Sequence, residues 1–339
     1  MKAVSIAARS LAPSKPHHAQ WLITRKCNYS CAGCNVWKEQ DERELPASEI
    51  KKGMDILKKL GVAELVISGG NPLLRDDIDE IIDYSSKLFL TTVCDNGSMA
   101  VKKIDCLRKV DFVAISIDSL DKAKNDAIKT VPGAWKEAMQ AVETLHKEGV
   151  NVSVTPTISQ KNLYEIPDLT DYFTQKGIPV WYCLYSYDIE EEKDALFRIG
   201  KENKEFVITD KEAMVNLCNS LITKKKRNSR IFITKKLLKA IRSYYGQDKR
   251  EWKCQALSNF LVIDPLGRIG GCHSHSLAGS IFDLPQKWKS QEFDNLREGY
   301  RACTKCNYLC YAFYSLEGTP YGHISLAVDQ WKNAKLFFK

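Results

Sequence analysis

The stretch Gln20-Trp21-Leu22-Ile23-Thr24-Arg25-Lys26-Cys27-Asn28-Tyr29-Ser30-Cys31-Ala32-Gly33-Cys34 opens as a strand-like run and closes on three cysteines in CxxxCxxC spacing. Three thiolates this close in the chain can ligate one cubane iron-sulfur cluster if the backbone loops tightly around it. The fourth iron then has no protein ligand, and a substrate or cofactor can bind it directly. Zinc and an all-cysteine electron-transfer cluster are the competing readings. Zinc usually takes two CxxC or Cys/His pairs, and this triad follows a strand with no adjacent fourth ligand.

Outward from the triad, short β-rich runs alternate with longer stretches of helical period, the pattern of βα units and a parallel sheet. The strands are expected at Gln20 to Thr24, Glu64 to Ser68, Phe89 to Val93, Asp111 to Ile117, Val150 to Ile158 and Ile178 to Tyr185. Helices are expected at Ala47 to Leu60, Asp76 to Leu88, Val101 to Lys109, Ala134 to Glu148 and Leu163 to Lys176. Ser48 before Glu49, Asp76 and Asp77 in a first turn, and Gly149 and Gly177 past helix ends supply the boundary signals. The expected fold is α/β: a partial (β/α)6 TIM-like barrel whose functional groups gather at the C-terminal ends of the strands, with a small C-terminal cysteine-rich α+β extension.

Four regions are expected: an N-terminal extension over 1–19, the barrel core over 20–187, a helical linker region over 188–251, and a cysteine-rich domain over 252–339. The linker begins with an acidic patch at Glu190 to Asp194. The last region is expected to hold a β-hairpin, Phe260 to Ile263 turning through Asp264-Pro265-Leu266-Gly267 into Arg268 to Gly271, and to end in an amphipathic helix over His323 to Lys339. There is no internal repeat or low-complexity tract.

The 339 residues are 44% apolar and 27% charged, an ordinary globular composition able to bury a core without staples. No run reaches the roughly 18 to 20 apolar residues of a membrane span, so the chain is not expected to be an integral membrane protein. Met1 to Pro16 lacks a long apolar h-region, which points to the cytoplasm. The net charge of +8, from 50 Lys and Arg against 42 Asp and Glu, is scattered along helices without base-stacking or groove-reading motifs; no nucleic-acid partner is expected. The twelve cysteines are clustered, with three in the triad and five between Cys254 and Cys310, which favours metal ligation over disulfides. Cys94, Cys106, Cys183 and Cys218 are isolated and read as packing.

On its CxxxCxxC triad the chain resembles the radical S-adenosylmethionine (radical SAM) superfamily. The resemblance implies that Cys27, Cys31 and Cys34 hold a 4Fe-4S cluster whose open iron is chelated by S-adenosylmethionine. It also implies reductive cleavage of that cofactor to a 5′-deoxyadenosyl radical that removes hydrogen from substrate. Gly69-Gly70-Asn71-Pro72 after the second strand resembles the family's Gly-Gly-Glu-Pro segment, which holds the methionine amino group; glycine there lets backbone approach the ligand. Asn96 within Asp95-Asn96-Gly97, Ser116 and Asp118 at the fourth strand's end, and Thr157 within Thr155-Pro156-Thr157 before Asn162 resemble cofactor-lining segments. Two positions depart from the pattern. Gly33 stands where an aromatic often precedes the third cysteine, so adenine packing must come from elsewhere. Asn71 replaces the glutamate, keeping a carbonyl acceptor and losing the charge.

Cys254, Cys272, Cys303, Cys306 and Cys310 resemble the SPASM or twitch extension of such enzymes, and imply a second, auxiliary 4Fe-4S cluster with one thiol spare; the spacing does not rank which four ligate it. A structural zinc knot that recruits His273 or His275 is the alternative, although lone histidines near Cys272 are expected at the surface. The implied activity is hydrogen abstraction from an unactivated C–H bond of a peptide or small metabolite, fed by a low-potential donor such as ferredoxin or flavodoxin. Adenosyl or carbon-skeleton transfer to a lipid or isoprenoid, and a non-catalytic iron-sulfur or zinc protein, are the alternatives. No catalytic acid or base is singled out by the sequence.

Overall fold

The computed structural model describes residues 15–38, 43–187, 202–273, 275–305 and 308–317. The acidic patch at 190–194, Cys306 and the expected helix over 323–339 lie outside them. The barrel elements run in chain order as β1 (His18–Leu22), α1 (Ala47–Leu60), β2 (Glu64–Ser68), α2 (Ile78–Leu88), β3 (Leu90–Asp95), α3 (Ile104–Leu107), β4 (Phe112–Ile115), α4 (Lys122–Lys129), α5 (Ala134–Lys147), β5 (Val152–Val154), β6 (Thr157–Ile158), α6 (Ile166–Gln175) and β7 (Cys183–Leu184). Strands β1 to β5 pair in sequence order and in parallel. Apolar strand residues such as Trp21, Ile67, Val93 and Ile115 are fully buried, as both faces of a parallel sheet require.

The expected strand Val150 to Ile158 is broken in two. Pro156 has no N–H to give the ladder, and the chain changes partners there: β5 pairs with β4, whereas β6 pairs with β7. The sixth expected strand shrinks to β7, with Val180 bridging separately to Val154. Helix α1 matches its expected bounds, but its cap differs. Pro46, not Ser48, precedes it, and the Ala47 N–H donates to Asp77 Oδ2 at 3.0 Å. Asp77 is thereby a tie between loops rather than a first-turn charge. It also receives Arg75 Nε and Nη2, both at 2.8 Å, while Arg75 Nη1 donates to the Ile23 carbonyl at 2.7 Å. This bidentate, buried arginine pins the exit of β1, the segment that leads into the triad.

Helix α4 is absent from the expected elements. It is short and polar, with no apolar face long enough to read as periodic, and it forms because Asp121 caps it, accepting the Lys124 N–H at 2.8 Å.

Beyond the barrel come α7 (Lys211–Lys225), α8 (Lys235–Gln247), β8 (Phe260–Ile263), β9 (Arg268–Gly270), β10 (Gly279–Ser280), α9 (Leu284–Lys287), α10 (Gln291–Ala302) and α11 (Leu309–Glu317). Met214, Leu217 and Leu221 of α7 line a small apolar cavity together with Ile158 of β6 and Leu184 of β7. The hairpin forms as read, with β8 antiparallel to β9. Strand β8 also pairs in parallel with β1, so one sheet runs β10-β9-β8-β1-β2-β3-β4-β5. The junction is sealed by buried Asp264, which accepts from Arg25 Nη2 at 3.3 Å while its carbonyl accepts Trp21 Nε1 at 3.1 Å. No helix among the described residues is long and apolar enough to cross a membrane.

Candidate active site

A cavity of about 310 Å³ opens at the C-terminal ends of the parallel strands. Cys27, Cys31 and Cys34 all border it, as do Gly69, Gly70, Asn96, Ser116, Asp118 and Thr157. Of the residues singled out from the sequence as cofactor-binding, Asn71 and Pro72 alone do not.

The triad thiols are desolvated. Burial pushes the Cys27 and Cys34 thiols up and takes Cys31 to about 11. Thiols so placed stay protonated until a cation displaces the proton, the behaviour of ligands awaiting a metal centre. Three thiolates on one cavity wall are the ligand number that a four-iron cubane with one open iron takes from a protein.

The two glycines of the β2 loop are demanded by backbone, not by ligand. A Cβ on Gly69 would lie 2.3 Å from the Thr24 carbonyl oxygen, and one on Gly70 2.3 Å from that of Lys26. The loop therefore packs directly on the β1 exit, and the Gly70 N–H bonds the Thr24 carbonyl at 2.9 Å. Asn71 is buried inside this loop. Its Oδ1 accepts the Leu73 N–H at 3.0 Å, and its Nδ2 donates to Asn28 Oδ1 and Asn96 Oδ1, each at 3.2 Å. It ties the triad loop to the β3 loop, and the carbonyl kept in place of a carboxylate is spent on the chain itself.

Lys129, the last residue of α4, is a cavity-wall residue that sequence reading missed. It borders the cavity, donates to Ser116 Oγ at 2.6 Å and pairs with Asp118 Oδ2 at 2.7 Å, with both side chains almost wholly buried. Asp118 Oδ1 accepts the Thr157 N–H at 2.7 Å, so the ends of β4, α4 and β6 are knotted on one wall. The signal was present as a lysine one α4 length after Ser116-Ile117-Asp118, but without α4 it read as one more scattered surface charge.

The space beside Gly33 is filled from elsewhere. A Cβ there would lie 3.1 Å from Tyr185 and 3.3 Å from Phe206, whose rings stand 5.3 Å apart and both border the cavity. Phe206 comes from the linker region, whose Asn203 Nδ2 reaches the Ala32 carbonyl at 3.5 Å and whose Phe206 carbonyl accepts the Gln160 N–H at 2.9 Å. Cys94 and Cys183, read as packing, also border the cavity, and burial pushes them to about 12 and about 11. Two buried polar atoms of wall residues, Asp95 Oδ1 and Thr155 Oγ1, have no hydrogen-bond partner. The wall thus brings three thiols for iron together with the polar side chains of Asn96, Ser116, Asp118, Lys129 and Thr157, and so fits a cluster with a bound polar cofactor.

A second cavity, of about 240 Å³, shares Tyr185 with the first and is bordered by Tyr187, Tyr244, Tyr245, Tyr308 and Lys305. In the tail, Cys254 and Cys272 are buried and Cys303 and Cys310 half-buried. His273 corrects the sequence reading. It is fully buried, with its ring 4.2 Å from that of Tyr308, and its Nδ1 lies 3.9 Å from Cys272 Sγ. His275 Nε2 lies 3.6 Å from Cys303 Sγ, and this contact holds the Cys303 thiol below its usual range.

A parallel partial barrel with a thiol-lined cavity at its strand ends defines a radical SAM fold. Residues 21–173, a little under half of the chain, match the family model described as Radical SAM superfamily. Over 168 residues, 48% of this chain and 41% of the relative, it is 31% identical to the pre-heme d1 synthase of Dinoroseobacter shibae. Over 305 residues, 86% of this chain and 87% of the relative, it is 25% identical to an AdoMet-dependent heme synthase of Methanosarcina barkeri. The crystal structure of Streptococcus suis SuiB bound to S-adenosylmethionine aligns with a TM-score of 0.66 at 18% identity, covering 92% of this chain and 74% of that one, a likeness of fold. The chain spans less than half the length of the pre-heme d1 synthase.

Proposed function

We propose that this protein cleaves S-adenosylmethionine reductively and removes a hydrogen atom from an unactivated C–H bond of a peptide or small metabolite. The observation that carries this reading is the first cavity, where three thiols and a buried lysine share one wall. Cys27, Cys31 and Cys34 would hold a four-iron cluster, which would supply the electron for reductive cleavage of the cofactor. The chain's own residues bind, orient and exclude water. Lys129, held by Asp118 and Ser116, presents positive charge for the cofactor's carboxylate. Tyr185 and Phe206 form a flat apolar wall for adenine in place of an aromatic at position 33. Gly69 and Gly70 keep the β2 loop close to the triad loop, so that both face one volume.

Substrate approaches through the tyrosine-lined second cavity, which lies between the barrel mouth and the cysteine-rich tail. The tail thiols, from Cys254, Cys272, Cys303, Cys306 and Cys310, hold an auxiliary 4Fe-4S cluster. The contacts of His275 with Cys303 and of His273 with Cys272 favour a second reading for the tail alone, a mixed Cys/His structural metal site. Such low-potential chemistry belongs in a reducing cytoplasm with a ferredoxin or flavodoxin donor.

The test is anaerobic reconstitution with iron and sulfide, followed by incubation with S-adenosylmethionine and dithionite. The expected result is 5′-deoxyadenosine and about eight irons per chain, or about four with zinc in the tail. Absence of 5′-deoxyadenosine from protein with a full first cluster sinks the reading.

A further inference from the structure

The triad lies in the connection from β1 to α1, and one turn of the cysteine-rich tail touches both stems of that connection. At the first stem Arg25, two residues before Cys27 and 5% exposed, donates Nη2 to Asp264 Oδ2 at 3.3 Å. At the second stem the Leu45 N–H bonds the Pro265 carbonyl at 2.9 Å. Gly267 closes the same turn with φ +74°, and a Cβ there would lie 2.8 Å from Leu45 Cδ1.

Asp264 divides its two oxygens between turn and barrel. Oδ1 accepts the N–H groups of Leu266 and Arg268, both at 2.9 Å, which shapes the turn itself. Oδ2 is shared by two guanidinium groups, that of Arg25 and that of Arg268, whose Nε lies at 2.7 Å. The carboxylate is fully buried, so its charge-assisted contacts are strong and costly to break one at a time. Arg75 holds the same stems from the barrel side, donating to the carbonyls of Ile23 at 2.7 Å and Leu45 at 2.8 Å. A loop fixed at both stems keeps one reach. The turn leads through β9 to Cys272, two residues past the strand, so one hairpin both grips the triad loop and presents a tail thiol.

We infer that Asp264 is a positioning residue of the first site: the hairpin turn of the tail clamps both stems of the triad loop and thereby sets where Cys27, Cys31 and Cys34 stand. The tail then helps to build the first site, besides any metal that it holds itself. Only the assignment of the triad to iron rests on the radical SAM reading above.

Alkylation of the metal-free protein with iodoacetamide at fixed pH, resolved cysteine by cysteine by mass spectrometry, tests it. Asp264→Asn keeps an acceptor for the Leu266 and Arg268 N–H groups and turns an amide NH2 toward Arg25, so the turn survives and the grip is lost. Arg25→Met leaves Asp264 paired with Arg268 and strands no charge, and it decides the matter if the first variant folds poorly. In either variant the triad thiols are expected to react about 10- to 100-fold faster, the range set by one lost charge-assisted hydrogen bond, and Cys94 and Cys183 to stay within about 2-fold. A merely structural role would free all of these thiols together. Triad rates within about 2-fold of wild type overturn the inference. Equal acceleration at Cys94, Cys183 and the buried Cys218 also overturns it, because the contact then stabilises the whole fold. Selective release of the triad in a protein whose wild type takes up no iron leaves the clamp standing and sinks the radical SAM reading instead.

Discussion

Replacing Asp118 by Asn tests whether the wall of the cavity is held by charge. Lys129 and Asp118 pair at 2.7 Å with side chains 7% and 5% exposed, so the substitution strands a buried ammonium while keeping the acceptor for the Thr157 N–H. Removing one partner of a buried pair costs about 3–5 kcal/mol; the bond from Lys129 to Ser116 at 2.6 Å remains, which argues for the lower end. A loss of about 3 kcal/mol lowers the melting temperature by roughly 6 °C in a large domain. Scanning calorimetry of the metal-free protein at neutral pH measures it. The pair raises the folded pKa of Lys129 above its ordinary 10.5 despite burial, through the charge of Asp118 first and the neighbouring thiols after it. Its contribution is therefore fully present below pH 10.5 and lost as pH rises through the higher folded value, so the gap between variant and wild type narrows at alkaline pH. The double variant Asp118→Asn, Lys129→Met is expected to melt above Asp118→Asn alone, because no buried charge is left unpaired. A single variant that melts within about 1 °C of wild type would refute the reasoning.

Three further outcomes are expected. Gly70→Ala places a Cβ 2.3 Å from the Lys26 carbonyl oxygen and 2.5 Å from that of Arg25, backbone that cannot rotate away; stability falls by about 1–3 kcal/mol, and iron bound at the triad falls with it. Full iron loading in that variant would show that the β2 loop has slack. In the metal-free protein the buried triad thiols hold protons that the unfolded chain gives up near pH 9, so urea midpoints fall as pH rises from 9 toward the Cys31 value of about 11. Cluster loading is expected to abolish that slope, and a flat profile in the metal-free protein contradicts the burial argument. Replacing Cys27, Cys31 and Cys34 together by Ala should remove about four irons and all 5′-deoxyadenosine formation while the tail keeps its metal, read by iron and zinc analysis. Loss of the tail metal as well would mean that the two sites assemble as one.

The triad's spacing, the alternation of βα units and the polar strand ends were readable in the chain because each depends on neighbours a few residues apart. From them came the parallel barrel, the family resemblance and eight expected cofactor-lining positions, of which six border the cavity. Glycine at positions 69 and 70 was read correctly as a demand for close approach, but the approaching group is the β1 backbone, which only the folded chain brings there. Lys129 escaped because α4 is capped by one aspartate and has no apolar period to announce it. The aromatic wall escaped because Tyr185 and Phe206 meet Gly33 across more than 150 residues of chain. The same distance hid the pairing of β8 with β1, since a strand's sequence states its period and not its partner. Local pattern therefore determined what kind of site this is. Which carboxylate, which cation and which rings face it was decided by tertiary packing, where burial and the need to satisfy polar groups select partners that no spacing rule records.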